Sequence, residues 1–172
     1  MINSNLELLE RNTKIKAKAL IDLAQQNWLD VYVFEWLRSI ERQYELYWKG
    51  RNVVALKKAG VPTKYANPSA KKVTRTVQSN HIKWQAVDIV FDLDKDPKKK
   101  RPSWNGNYTV LIYLSQYVWL RNLAPLETCH FEHNSTTVES VLENNSKLWH
   151  LSKDQKERDF LHNVNNTIRK YI

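Results

Sequence analysis

The chain has 172 residues, 42% of them hydrophobic, which suits one domain built on one core. Its formal charge is +9, from 27 Lys and Arg against 18 Asp and Glu, and seven Trp argue against wholesale disorder. The single cysteine, Cys129, excludes an intramolecular disulfide and a Cys-rich metal cluster, and no apolar run approaches the roughly 20 residues of a membrane span.

Residues 6–26 place Leu6, Leu8, Leu9, Ile15, Ala19, Leu20, Leu23 and Ala24 near helical spacing. This predicts one or two amphipathic helices starting after Asn5 or Asn12. The stretch lacks the apolar region and cleavage site of a signal peptide, so synthesis in the cytoplasm is expected. Residues 30–37 are rich in Val, Tyr, Phe and Trp and predict a strand. Residues 39–49 predict a helix with Ser39 as its cap and Gly50 as its stop. Residues 52–72 carry Gly60, Pro62 and Pro68 and read as an irregular insertion with a short helical piece. Residues 84–93 alternate in the manner of a second strand. Residues 108–122 are apolar nearly all round and predict a buried helix, with strand as the alternative. A short strand is expected over 128–133, then polar helices over 136–149 and 152–171. The fold class is α+β, with 1–134 as the main domain and 135–172 as a helical extension packed on it.

The basic residues are spread, apart from Lys98-Lys99-Lys100-Arg101, which reads as an exposed loop. Positive charge alone does not separate a nucleic-acid binder from a protein that meets an anionic cell wall.

Three segments carry candidate chemistry: Arg38 to Arg51, Ser79 to Asp88, and Glu127 to His133. A catalytic zinc site needs about three protein ligands and an open position. His81 and Asp88 are seven residues apart, close enough for the chain to double back and bring both to one ion. Asp88 alternates with Val87 and Ile89 and so faces away from the core. His130 is the best third ligand. Glu127, three residues earlier, is placed to take a proton from an attacking water, and Arg38 to hold a substrate carboxylate or the charge developing on a carbonyl oxygen. The plainer reading makes Asp88 a strand-end carboxylate held by backbone amides and His130 a core histidine. His133 is three residues beyond His130 and points to the other face of a strand, outside the ligand set. His150 and His162 read as surface residues, and Cys129 as a buried structural thiol.

Taken in order, the segments resemble the zinc D-Ala-D-Ala carboxypeptidase and L-alanyl-D-glutamate endopeptidase family, which includes many phage endolysins. The stretch Arg38-Ser39, Gln43, Leu46-Tyr47 and Gly50-Arg51 matches one motif, Ser79-x-His81 with Ala86-x-Asp88 a second, and Glu127-x-x-His130-Phe131-Glu132 a third. The resemblance implies a zinc site of His81, Asp88 and His130, with Glu127 as base and Arg38 as a substrate- and transition-state-stabilising residue. Ser79, Gln43 and Trp84 would support the ligands or touch substrate. It implies a small, mostly antiparallel sheet with helices packed against it and a zinc groove across the sheet.

There are departures. Trp36 and Trp84 stand where the family has glycine, the 52–72 and 94–107 stretches are long, and Leu123-Ala124-Pro125-Leu126 replaces a Gly-rich approach to the last motif. The expected function is a zinc peptidase that cuts a peptidoglycan stem peptide or cross-bridge, acting as a monomer on the wall after release from the host cytoplasm, with no specific nucleic-acid partner. A catalytically inactive basic binding protein and a carboxypeptidase or dipeptidase of soluble muropeptides are the alternatives.

Overall fold

A computed structural model describes residues 6–64, 66–94 and 100–172. Five strands and six α-helices form an α+β fold. After a 3-10 turn at Leu6–Leu8, the order is α1 (Arg11–Gln26), β1 (Val31–Glu35), α2 (Ile40–Trp48), α3 (Val53–Lys58), β2 (Ala86–Asp92) and β3 (Pro102–Ser103). There follow α4 (Tyr108–Tyr117), β4 (Leu120–Leu123), β5 (Glu127–His133), α5 (Val138–Leu151) and α6 (Gln155–Arg169). The sheet is antiparallel, in the order β1-β2-β5-β4, with the short β3 pairing the end of β2 that β5 leaves free. No helix among the described residues is long and apolar enough to cross a membrane.

One face of the sheet meets the core. Val31, Val33, Val87, Ile89 and Phe131 bury there against Ile15, Leu20 and Leu23 of α1 and Leu111 and Leu114 of α4. Val138 and Val141 of α5 and Val164 and Ile168 of α6 belong to the same cluster, so the C-terminal helices share the core. A smaller cluster of Trp48, Leu56 and Val61 organises the insertion around α3. Lys16 is buried, and its ammonium donates to the carbonyls of Trp119 and Thr136 and to Asn134 Oδ1, tying α1 to two loops. Burial lowers its pKa to about 8.

Some boundaries differ from the sequence reading. Helix α1 starts neither after Asn5 nor after Asn12. Glu10 caps it, because its longer side chain reaches the backbone N–H groups of Asn12 and Thr13. Asn12 instead accepts the N–H of Val138 at the start of α5. Helix α4 stops at Tyr117, where Trp119 takes a left-handed φ of 54° and the chain reverses into β4, so the 108–122 stretch is part helix and part strand. Of the basic run, Lys98 and Lys99 lie outside the described residues, while Lys100 sits 4.7 Å over the Tyr32 ring.

Burial would raise the pKa of Glu10, but four hydrogen bonds from Asn12 and Thr13 outweigh it and hold the carboxyl below its ordinary 4.5. The lowered folded value means that this stability is present above pH 4.5 and is lost as the pH falls through the folded pKa. Glu10→Ala is expected to cost about 1 kcal/mol at pH 7. Urea denaturation at pH 7 and again in acid should show the difference from wild type shrinking in acid.

Candidate metal centre

The site lies on the sheet face turned away from the core. Glu35, Asp88 and His130 are paired in register across β1, β2 and β5, so one cross-strand row carries all three. On β5, Glu132 stands two residues past His130 and shares its face. Strict alternation would turn Glu35 toward the core with Val31 and Val33. The register shifts between Val33 and Glu35, and this bulge at Phe34 moves Glu35 to the site face and returns Trp36 to the core. His81 comes from the turn before β2 and is fully buried.

Three ligand atoms converge. His81 Nε2 lies 3.1 Å from His130 Nδ1 and 3.2 Å from Asp88 Oδ1, and His130 Nδ1 lies 3.2 Å from the same oxygen. The group could hold a metal ion. Two atoms bound at about 2.0–2.1 Å to one tetrahedral ion stand roughly 3.3–3.4 Å apart, so the spacing fits.

The outer partners fix which atoms face inward. His81 Nδ1 lies 2.8 Å from the Trp36 carbonyl, which only accepts, so Nδ1 carries the proton and Nε2 the lone pair. His130 Nε2 donates to Glu132 Oε2 at 3.1 Å, which leaves the Nδ1 lone pair facing the centre of a neutral ring. Asp88 Oδ2 accepts from Arg38 at 3.1 Å, leaving Oδ1 for the centre. Three acceptors thus meet at one point, an arrangement that repels unless a cation or a proton sits among them. Burial disfavours a charged His130, but hydrogen bonds to Asp88 and Glu132 prevail and push its pKa up to about 9. Burial would likewise raise Asp88, yet the two imidazoles hold it well below the usual carboxylate range. Glu132 is held at about 2 against burial by His130, Arg121 and Asn80.

The remaining candidates fall into place around this centre. Arg38 is buried and donates to Glu35 at 2.9 and 2.5 Å, to Gln43 at 2.9 Å and to Asp88. Gln43 is fully buried and also donates to the Thr76 carbonyl. Ser79 Oγ accepts the N–H of His81 at 3.3 Å. Glu127 is half-buried, is not one of the converging residues, and its carboxylate makes no hydrogen bond or ion pair among the described residues. Cys129 is half-buried rather than buried, packs on the core and lines the groove; burial and the nearby Asp88 and Glu127 push its thiol up to about 12. His133 stays outside the ligand set, and His150 and His162 are exposed.

Trp84 keeps a left-handed φ of 65°, the backbone shape that glycine adopts freely. Its half-exposed ring packs edge-on against Trp36, with centroids 6.1 Å apart. The two tryptophans therefore contact each other, and Trp36 supplies the carbonyl that orients His81. Trp84→Gly is expected to be more stable than Trp84→Ala by about 1 kcal/mol, because only glycine relieves the left-handed strain. Chemical denaturation of the pair checks the order.

Glu35 was not singled out from sequence, and Glu132 was matched in the third motif but given no role there. The i to i+2 spacing from His130 was a signal for Glu132; Glu35 had none, since the bulge that turns it is not visible in the alternation.

Two cavities lie beside the centre as two arms, one lined by Asp88 and the other by His130. The larger, about 650 Å³, is lined by Phe34, Arg38, Asp88, Trp104, Glu127 and Cys129 among others. The smaller, about 390 Å³, includes Ser79, Asn80, Arg121, His130 and Glu132. Both share Arg38, Thr74, Leu126 and Glu127. No protein-family model matches this chain, and no curated protein matches it.

Proposed function

We propose that this chain is a zinc-dependent peptidase that hydrolyses an amide bond in the peptide part of bacterial peptidoglycan. The observation that carries the reading is the convergence of His81 Nε2, His130 Nδ1 and Asp88 Oδ1, with the Glu127 carboxylate, which has no partner among the described residues, lining the cavities that Asp88 and His130 also line. Two imidazoles and one carboxylate suit zinc, which when bound would polarise a carbonyl and acidify a water. The same donor set accepts Fe(II). A free carboxylate lining both arms favours hydrolysis, which needs a base and no oxidant.

In this reading Glu127 takes the proton of the attacking water and hands it to the leaving amine. Arg38 holds Asp88 in place and supplies positive charge where the carbonyl oxygen becomes negative. Glu35 and Gln43 keep the guanidinium aimed, Glu132 and the Trp36 carbonyl do the same for the two imidazoles, and Ser79 steadies the turn that carries His81. Glu127 lines both cavities, and a chain passing from one to the other would extend to both sides of the reacting bond, which favours cleavage within a peptide over removal of a terminal residue. The net charge of +9 suits an anionic wall, and the setting proposed is that of a phage lysin.

Purified walls, incubated with zinc-loaded and with metal-stripped protein, test the proposal. Mass spectrometry should find new peptide termini only with metal, and zinc added back should restore them. Walls left intact by the zinc-loaded protein, or cut equally well without metal, would overturn it. Intact walls with soluble muropeptides trimmed at their ends would point to the carboxypeptidase alternative.

A further inference from the structure

The larger arm of the groove contains a feature that the peptidase chemistry does not use. Most of its charged groups are already engaged: Arg38 with Glu35 and Asp88, and Arg42 with Glu45 and Glu35. Lys49 and Lys71 also line this arm, do not line the smaller one, and are exposed. Neither side chain makes a hydrogen bond or ion pair among the described residues.

Exposed lysines ordinarily belong to a solvated surface, but the backbones that carry these two are locked together. Lys49 forms a parallel bridge with Asn67, and the N–H of Gly50 donates to the Asn67 carbonyl at 2.8 Å. Gly50 has a φ of +70°, and a Cβ there would stand 2.9 Å from the Ala70 carbonyl and 2.9 Å from the Lys72 nitrogen. The backbone on either side of Lys71 therefore lies directly against the residue after Lys49. Two more bonds fasten the segment that follows: Arg51 to the Thr74 carbonyl at 2.8 Å and Gln43 to the Thr76 carbonyl at 2.6 Å. Arg51 is itself held over the Tyr47 ring at 3.7 Å. The backbones that carry the two lysines are thus fastened to each other along one wall of this arm, with the apolar Leu46 and Val73 among its other lining residues.

We propose that Lys49 and Lys71 form an anion subsite that takes a carboxylate carried by the peptide substrate away from the bond that is cut. The proposal rests on the peptidase reading for its substrate, but its test separates the two. Binding of labelled tri-glutamate and tri-glutamine peptides is measured on zinc-loaded wild type and on the K49Q/K71Q variant. Both proteins keep the same metal ligands, so direct binding of a carboxylate to the ion cancels in the comparison.

The variant should bind tri-glutamate roughly fivefold or more weakly, leave tri-glutamine binding unchanged, and lose much of the salt dependence seen in wild type. The subsite falls if tri-glutamate binds both proteins alike, if both peptides weaken together, or if a short single-stranded DNA competes as well as tri-glutamate. A tri-glutamate preference in a protein that leaves walls intact upholds the subsite and removes the peptidase reading. Walls cut with the same KM by wild type and variant uphold the peptidase and remove the subsite.

Discussion

Glu127→Gln is expected to bind zinc as wild type does and to lose about 10²–10⁴-fold in the rate of wall hydrolysis. The carboxylate lies outside the three converging atoms and has no hydrogen-bond or ion-pair partner among the described residues, so its amide leaves the metal centre and the fold as they are. What the amide cannot do is accept a proton from water. Metal content by elemental analysis, together with the rate of peptide release, checks both halves. A variant that hydrolyses walls at the wild-type rate removes Glu127 from the mechanism. One that loses its zinc moves Glu127 from base to ligand.

His81→Ala carries the second large effect. A ligand that binds only the folded state stabilises it by mass action, about 2.7 kcal/mol when free zinc stands at a hundred times its Kd. Wild-type protein should therefore resist urea more strongly as zinc is raised, and His81→Ala should not respond over the same range. Its activity should vanish with the metal. Glu132→Gln is expected to sit between the two, with zinc affinity lowered about 10–100-fold, because the outer carboxylate orients His130 without touching the ion. Equal zinc responses in wild type and His81→Ala would remove His81 from the site.

Much of this arrangement was legible in the residues. Richness in Val, Tyr, Phe and Trp marked β1, alternation marked β2, and a short strand was expected where β5 lies. Helical spacing marked α1, α2, α5 and α6, and Ser39 caps α2 through the Arg42 N–H. The three residues proposed as ligands do meet, because Asp88 and His130 are cross-strand neighbours and His81 is returned to them by the turn at Ser79–Trp84. What was hidden depends on contacts distant in the chain. Nothing near Glu10 in sequence marks it as a cap in preference to Asn12, whose side chain is claimed by Val138, 126 residues on. The end of α4 rests on a left-handed tryptophan, a residue that local propensity does not place there. The partners of Arg38 could not be read from spacing alone, since one of them, Asp88, lies fifty residues away and another, Glu35, reaches it through an irregular pairing.

That irregularity leaves Phe34 without a partner in the register of β1 with β2. Exchanging Phe34 for another side chain keeps the count of residues along β1 and leaves its neighbours facing as they do. Removing it would leave Val33 and Glu35 adjacent, opposite the adjacent Ile89 and Asp88, so regular alternation alone would keep Glu35 on the site face and Trp36 in the core. A single-codon deletion at this point would therefore spare both the centre and the interior, whereas drawing Phe34 into the paired ladder would turn the carboxylate that steadies Arg38 into the hydrophobic layer and the Trp36 indole out of it.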